Sequence, residues 1–145
     1  MKIVNRKARF EYEVKDRIEA GVVLSGGEAK SVLGGGVDMG NAYVKILPSK
    51  FKGQHEAWII NLHIYPYKHA DNAGYVPTRT RKLLLHQKEI VALQSRMKQA
   101  RLQLVPTSIY TKSGKVKIEL GLARGKRVYE KREAIKKRDL EREGR

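Results

Sequence analysis

Four histidines are the side chains of this chain best suited to proton transfer near neutral pH: His55, His63, His69 and His86. His63, in the segment NLHIYPY, or His86 could serve as the general base of a nuclease. A strand histidine held by one hydrogen bond is the commoner situation, and the chain has no His-x-x-x-His pair and no Gly-x-Ser-x-Gly turn. Cysteine is absent, which removes thiol nucleophiles and zinc–thiolate sites. The sequence therefore gives little support to hydrolysis by a metal site or a catalytic triad, and we expect no metal site or cofactor.

Basic side chains form two short clusters beside aromatic or apolar residues. The first cluster consists of Arg6, Lys7 and Arg9, followed by Phe10 and Tyr12. The second consists of Arg79, Arg81 and Lys82, followed by three leucines. Such clusters suit a surface that follows a phosphate backbone while rings or apolar side chains meet bases. We predict that both contact nucleic acid, although a solvated charge run is the alternative for either cluster alone.

The charge of the whole chain favours the same partner. Its 145 residues include 31 lysines and arginines but 15 aspartates and glutamates, a net charge of +16. Such an excess favours polyanions, because neutralising phosphates gives sequence-independent affinity. An anionic membrane surface is the second candidate, but no segment approaches the roughly 20 apolar residues of a spanning helix. We expect a cytoplasmic protein that does not bind membranes.

Two glutamates have contrasting settings. Ser25 precedes Glu28 by three residues, the spacing of a capping box, in which each side chain satisfies a backbone N–H of the first helical turn. Capping explains Glu28 without a ligand. Glu19 lies in a strand-like stretch, where its carboxylate could accept hydrogen bonds from base amino groups. A solvated strand glutamate is the alternative for Glu19.

Strand patterns dominate the elements that must position these side chains. In KVKIELGL, the apolar residues Val116, Ile118, Leu120 and Leu122 share one face. The preceding TKSGK is a short glycine-containing turn, which predicts a hairpin with LQLVPTSIY. The other predicted strands are FEYEV, AGVVL, NAYVKIL and EAWIINLHI. We expect a mostly β protein, an OB-like closed antiparallel barrel rather than a sandwich.

Two helices interrupt the predicted strands. The segment SGGEAKSVL begins at the Ser25 cap, and Ala29, Val32 and Leu33 form its apolar face before the glycines at 34–36. The segment HQKEIVALQSRMKQA carries four apolar residues at helical spacing: Ile90, Leu93, Met97 and Ala100. We expect both helices to cap or plug the barrel.

Composition changes after Gly125, the one boundary that the sequence indicates. Residues 126–145 are mostly charged, and their few apolar residues form no stripe wide enough to bury. A helix without packing is marginal in water, so we predict a body at 1–125 and a basic tail at 126–145 that is disordered when free. Glutamates four residues before basic residues give this tail a latent helix that a partner could order.

The segments together resemble the SsrA-binding protein (SmpB) family. The matching stretches follow the family's order: NRKARFEYEV, EAGVVLSGGEAKS, NAYVKI, RTRKLLLH, SIYTKSGKVKIELGLARGKR and YEKRE. The resemblance implies an OB-like, non-enzymatic protein that binds the tRNA-like domain of transfer-messenger RNA and delivers it to ribosomes stalled in translation. A general ribosomal or ribosome-assembly protein remains the alternative that composition allows.

The resemblance also implies site residues. The family's RNA-facing stretches correspond here to Asn5, Arg6 and Lys7, to Glu19, and to Leu84 behind Arg81 and Lys82. The family's tail enters the decoding region and the empty message path of the small ribosomal subunit; the corresponding residues are Lys126, Arg127, Tyr129, Glu130, Lys131 and Arg132. Glu130 replaces the usual aspartate, and Phe10 occupies a position often held by histidine.

Overall fold

The computed structural model of this chain describes residues 1–125, which contain nine strands and three helices. In chain order these are β1 (Lys2–Val4), α1 (Arg6–Glu11), β2 (Tyr12–Val22), α2 (Gly26–Leu33), β3 (Val37–Asp38), β4 (Tyr43–Pro48), β5 (His55–Ile60), β6 (His63–Ile64), β7 (Arg81–Leu84), α3 (Gln87–Ala100), β8 (Gln103–Lys112) and β9 (Lys115–Gly125). The prediction of a mostly β protein with few helices is confirmed. None of these helices is long and apolar enough to cross a lipid bilayer.

Seven strands form one antiparallel sheet in the order β1-β8-β4-β5-β7-β2-β9, and β8 pairs with β9 as well. This extra pairing links β9, at one end of the order, to β8 near the other end. The short strands β3 and β6 pair separately. Residues 12–14 of the predicted strand FEYEV and residues 20–22 of AGVVL belong to the single long strand β2. The predicted strand EAWIINLHI is divided into β5 and β6 at Asn61, whose φ is 62°.

The β8–β9 hairpin follows the sequence prediction closely. Ser113 and Gly114 form its two-residue turn with φ values of 52° and 74°, the left-handed conformation that such hairpin turns require. Ile118, Leu120 and Leu122 are buried in the main core, as their alternation indicates. Gly121 lies on the opposite face, where an added Cβ would be 2.7 Å from Val14 Cγ1, so β2 and β9 approach closely only with glycine at this position.

Helices α2 and α3 lie where the sequence predicted them, but the faces that they bury differ from the prediction. Ser25 and Glu28 form the expected capping box on α2. This helix buries Glu28 and Ser31 with Val32, whereas Leu33, predicted on the apolar face, is exposed. In α3 the buried residues are Ile90 and Leu93.

Candidate nucleic-acid interface

The first basic cluster lies on a helix rather than ahead of a strand. The alternation of Phe10 and Tyr12 predicted a strand from residue 10, but α1 occupies Arg6–Glu11 and β2 begins at Tyr12. Asn5 explains the difference, because its Oδ1 accepts a hydrogen bond from the Ala8 N–H at 3.1 Å and so caps the helix. The cap and the buried Ala8 override an alternation of only a few residues.

Asn5 itself is buried, with 5% of its surface exposed. Its Nδ2 donates to the carbonyl oxygens of Pro106, at 2.7 Å, and Met39, at 3.2 Å. The Oδ1 atom thus caps α1, while the Nδ2 atom holds the start of this helix against the body. The prediction that Asn5 contacts RNA directly is corrected: Asn5 positions the helix that carries the neighbouring cations.

The side chains of Arg6, Lys7 and Arg9 are exposed on α1, and together they are called the α1 surface below. Lys7 Nζ donates to Asn41 Oδ1 at 2.9 Å, which fixes this ammonium group without neutralising it. Tyr12 is half-buried and packs against the small apolar cluster beneath the helix. The structure thus brings three of the predicted RNA-binding cations together on one short helix.

The second basic cluster is divided by the strand that carries it. Successive side chains of a strand point to opposite faces. In β7, Arg81 and Leu83 are therefore buried, whereas Lys82 is half-buried and Leu84 is 56% exposed. Residues that are adjacent in the sequence consequently reach different environments.

Arg81 is fully buried and hydrogen-bonded on all sides. Its Nε donates to Glu28 Oε2 at 2.6 Å, and its Nη1 donates to the Leu62 carbonyl at 2.6 Å. Its Nη2 donates to the Pro77 carbonyl at 2.9 Å. This corrects the prediction that Arg81 contacts RNA, because its guanidinium is enclosed and its donors are used within the protein.

Glu28 is the counter-charge of two arginines as well as a helix cap. Arg79, whose side chain is 40% exposed, donates from Nη2 to Oε1 at 2.5 Å and from Nε to Oε2 at 3.1 Å. Burial alone would raise the pKa of Glu28, but hydrogen bonds from Arg79, the Ser25 N–H and Arg81 outweigh it and lower the pKa to about 2. Capping alone therefore does not account for Glu28. Glu28, Arg79 and Arg81, together with the Ser25 cap, are called the Glu28 corner below.

The outward face of β7 borders an open groove of about 530 Å³, called the Glu19 groove below. Three predicted RNA-binding residues line it: Glu19, Lys82 and Leu84. The strand pairing explains their meeting, because Gly21 of β2 lies opposite Leu84 of β7. Lys82 Nζ lies 3.5 Å from Glu56 Oε1, another lining residue.

Glu19 is held as an anion at one side of this groove. Tyr110 donates its hydroxyl to Glu19 Oε2 at 2.5 Å, and Lys112 Nζ lies 3.5 Å from the same oxygen. The hydrogen bond from Tyr110 and the charge of Lys112 lower the pKa of Glu19 despite its partial burial. Burial and the bond to Glu19 raise the pKa of Tyr110 to about 12, so the phenol remains a donor.

Lys112 and Lys117 are residues of this site that the sequence interpretation missed. Lys117 lines the groove because it pairs with Gly21 of β2 on one side and with Tyr110 of β8 on the other. The alternation of KVKIELGL places Lys117 on the polar face, but its approach to Glu19 depends on the register between distant strands. Such a register is not readable from one segment.

The two predicted clusters do not form one continuous site. The α1 surface borders a separate groove of about 440 Å³, whose lining includes Tyr43 and Lys45 and shares no residue with the Glu19 groove. The predicted tail residues, Lys126, Arg127, Tyr129, Glu130, Lys131 and Arg132, lie outside the described residues. Within residues 1–125, the predicted RNA-binding residues therefore border two separate grooves.

The two histidines considered for nuclease chemistry differ in setting: His63 is half-buried, whereas His86 is exposed and lines the Glu19 groove. The His63 ring lies 4.4 Å from the Tyr65 ring, centroid to centroid. His86 precedes α3, and its backbone N–H donates to Glu89 Oε1 at 2.9 Å. Within residues 1–125, no group of three or more histidines and carboxylates is arranged to hold a metal ion.

Comparison with known sequences gives a family match along almost the whole chain. Residues 2–145 match the family described as SmpB protein. The SsrA-binding protein of Chlorobaculum tepidum is 49% identical over 142 residues, covering 97% of this chain and 87% of that protein. The SsrA-binding protein of Sulfurihydrogenibium sp. is 45% identical over 139 residues, covering 96% of this chain and 88% of that protein.

Comparison with solved structures agrees. A chain of the structure described as "tmRNA-SmpB: a journey to the center of the bacterial ribosome" is 39% identical, with a TM-score of 0.69. The match covers 92% of this chain and 94% of the other. The similarity therefore extends to the fold as well as the sequence.

Proposed function

The chain belongs to the SmpB family, and on that premise we propose that it binds the tRNA-like domain of transfer-messenger RNA and delivers it to stalled ribosomes in trans-translation. The observation that carries the proposal is the family match over residues 2–145. The protein acts as an RNA-binding adaptor in the cytoplasm and catalyses no reaction.

The Glu19 groove offers the chemistry that this RNA requires. Lys82 and Lys117 supply ammonium groups for phosphates. Tyr110 and Lys112 both bond Oε2 of Glu19, so Oε1 keeps its lone pairs for a donor such as a base amino group. The exposed Leu84 adds an apolar contact within the same groove. A site that combines these groups distinguishes bases instead of only attracting a backbone.

The α1 surface and the tail form the remaining parts of the proposed interface. Arg6, Lys7 and Arg9 contact phosphates, with Tyr12 beside them, and the half-exposed Arg79 reaches RNA from the rim of the Glu28 corner. In the tail, Lys126, Arg127, Tyr129 and the segment 130–132 enter the decoding region and the empty message path. The support for the tail assignment is the family resemblance of these residues.

The proposal includes an architecture. The pairings from β8 through β4, β5, β7 and β2 to β9 return to β8, which supports an OB-like closed barrel. The composition change after Gly125 supports a body at 1–125 and a separate basic tail at 126–145. Binding to RNA is assigned to the body, and action on the ribosome requires both parts.

Two truncated chains test whether the body alone binds RNA and whether the tail is needed for action on the ribosome. A chain stopped after Gly125 should bind the tRNA-like domain as the full chain does, yet fail to support tagging of products from a message without a stop codon. A control chain stopped after Arg138 should retain both activities. Normal tagging by the shorter chain would remove the tail from the proposal. Urea unfolding of all three proteins checks that each body is folded.

Competition binding separates this function from that of a general ribosomal or ribosome-assembly protein. The tRNA-like domain and a plain RNA duplex of equal length compete for the full chain at one fixed salt concentration, since salt strongly changes such affinities. The adaptor should prefer the tRNA-like domain by at least about tenfold. Equal affinity would support the alternative.

A further inference from the structure

The β4–β5 hairpin forms one wall of the Glu19 groove, and its tip is an ordered turn. The Ser49 N–H donates to the Gln54 carbonyl at 2.9 Å, and the Gln54 N–H donates to the Phe51 carbonyl at 3.1 Å. The Phe51 N–H donates to Ser49 Oγ at 3.1 Å, and Gly53 supplies the left-handed residue with a φ of 79°. Residues 49–54, called the hairpin tip below, therefore hold a defined shape.

The hairpin is also fixed relative to the groove. The side-chain amide of Gln87, at the start of α3, bonds both backbone groups of His55, the first residue of β5 after the tip. The His55 N–H donates to Gln87 Oε1 at 3.2 Å, and Gln87 Nε2 donates to the His55 carbonyl at 2.7 Å. This pair of bonds holds the hairpin beside the groove.

The tip carries an exposed ring between two cations. Phe51 lines the groove and is 60% exposed, the largest exposed fraction among the large apolar side chains of residues 1–125. Lys50 and Lys52 flank it, and Lys50 Nζ lies 5.6 Å from the ring centroid. No ion pair within residues 1–125 involves either lysine. An aromatic face between unpaired ammonium groups suits an unstacked base and its flanking phosphates.

We propose that the hairpin tip is a further RNA-contact element, in which Phe51 stacks on an unpaired base and Lys50 and Lys52 contact the adjoining phosphates. The inference rests on the proposed function, because it places that base on the RNA bound in the Glu19 groove. An anionic membrane fits this surface less well, since Glu19 and Glu56 in the same groove are acceptors that base amino groups can use, and the tip offers one apolar ring rather than an apolar face. The occupant is therefore RNA with an unpaired nucleotide.

Substitution of the ring in the full chain tests stacking. Phe51→Ala should bind a transcript of the tRNA-like domain about tenfold more weakly than the unaltered protein, whereas Phe51→Trp should bind within about twofold of it. Tyr65→Ala is the matched control, because Tyr65 is also an aromatic residue and is 52% exposed. Its affinity should not change. Chemical probing should show one unpaired base that the unaltered protein protects and that Phe51→Ala leaves reactive.

The flanking lysines are tested by salt. The double variant Lys50→Gln, Lys52→Gln should reduce the slope of log affinity against log salt by about 1.5 to 2. Equal binding by Phe51→Ala, Phe51→Trp and the unaltered protein, with preference for the tRNA-like domain retained, would overturn this inference alone. If the unaltered protein itself bound the tRNA-like domain and a plain duplex equally, the proposed function would be overturned instead. A third outcome concerns vesicles that contain phosphatidylserine. If the unaltered protein bound them and Phe51→Ala did not, while RNA affinity stayed unchanged, the tip would be assigned to membranes and the inference would be overturned.

Discussion

The Glu28 corner and the Glu19 groove lie on opposite faces of β7, and both join a glutamate to basic side chains. At the Glu28 corner, Arg81 and Glu28 are almost fully buried, and their polar atoms bond one another and nearby carbonyls. At the groove, Glu19 and Lys82 remain partly exposed. Two cations that are adjacent in the sequence, Arg81 and Lys82, thus lie in one buried and one partly exposed environment.

The largest expected effect tests the structural side of this comparison. Arg81→Ala should lower the free energy of unfolding by about 3–5 kcal/mol, because it removes one of the two arginine partners of the buried Glu28 carboxylate and the guanidinium that bonds the Leu62 carbonyl. Urea unfolding measures the change. Lys82→Ala, one residue away, is the control and should change stability by less than about 1 kcal/mol. The comparison fails if Arg81→Ala retains stability and loses RNA affinity instead.

Acid should weaken the Glu28 corner selectively. The pKa of Glu28 falls from 4.5 to about 2 on folding, so the ionised group stabilises the fold above pH 4.5 and this contribution is lost as the pH falls towards 2. The shift corresponds to about 3 kcal/mol. Unfolding measured between pH 5 and pH 2 should show this decline.

Glu28→Gln provides the test of that assignment. The variant should be less stable at pH 7 but should lose less stability on acidification than the unaltered protein. Glu56→Gln, in the open groove, is the control and should retain most of the decline. An undiminished decline in Glu28→Gln would assign the acid sensitivity to other carboxylates.

The smallest expected effect tests the proposed role of the Glu19 groove in RNA binding. Glu19→Gln keeps an oxygen that can accept the Tyr110 hydrogen bond but removes the charge that strengthens bonds from base amino groups. Affinity for the tRNA-like domain should fall about tenfold, with stability changed by less than about 1 kcal/mol. In a binding titration, Glu56→Gln should remain within about threefold of the unaltered protein. Equal losses in both variants would contradict a specific role for Glu19.

The sequence was sufficient where one local rule determined the structure. The alternation in β9, the turn at Ser113 and the capping box at Ser25 each depend on residues close in the chain, and each is confirmed. The family resemblance likewise predicted the membership that the comparisons show. These features required no knowledge of distant contacts.

The burial of polar residues was not predictable in the same way. Arg81 and Lys82 look alike in RTRKLLL, and Arg81 becomes structural only because Glu28, 53 positions earlier, lies against it. A partial signal existed, since alternation places Arg81 on the same face as the buried Leu83. Asn5 offered another, because asparagine is a preferred helix N-cap and α1 follows it directly.

The pairing of β2 with β9 has a consequence for the order of events during synthesis. Tyr12 pairs with Gly125 and Gly21 with Lys117, so β2 leaves the ribosome about 100 residues before its partner strand. At a synthesis rate of roughly 5–20 residues per second, that edge of β2 remains without its partner strand β9 for about 5 to 20 seconds. Nascent chains interrupted before β9 lack Lys117, so the complete Glu19 groove exists only in chains whose body has been made in full.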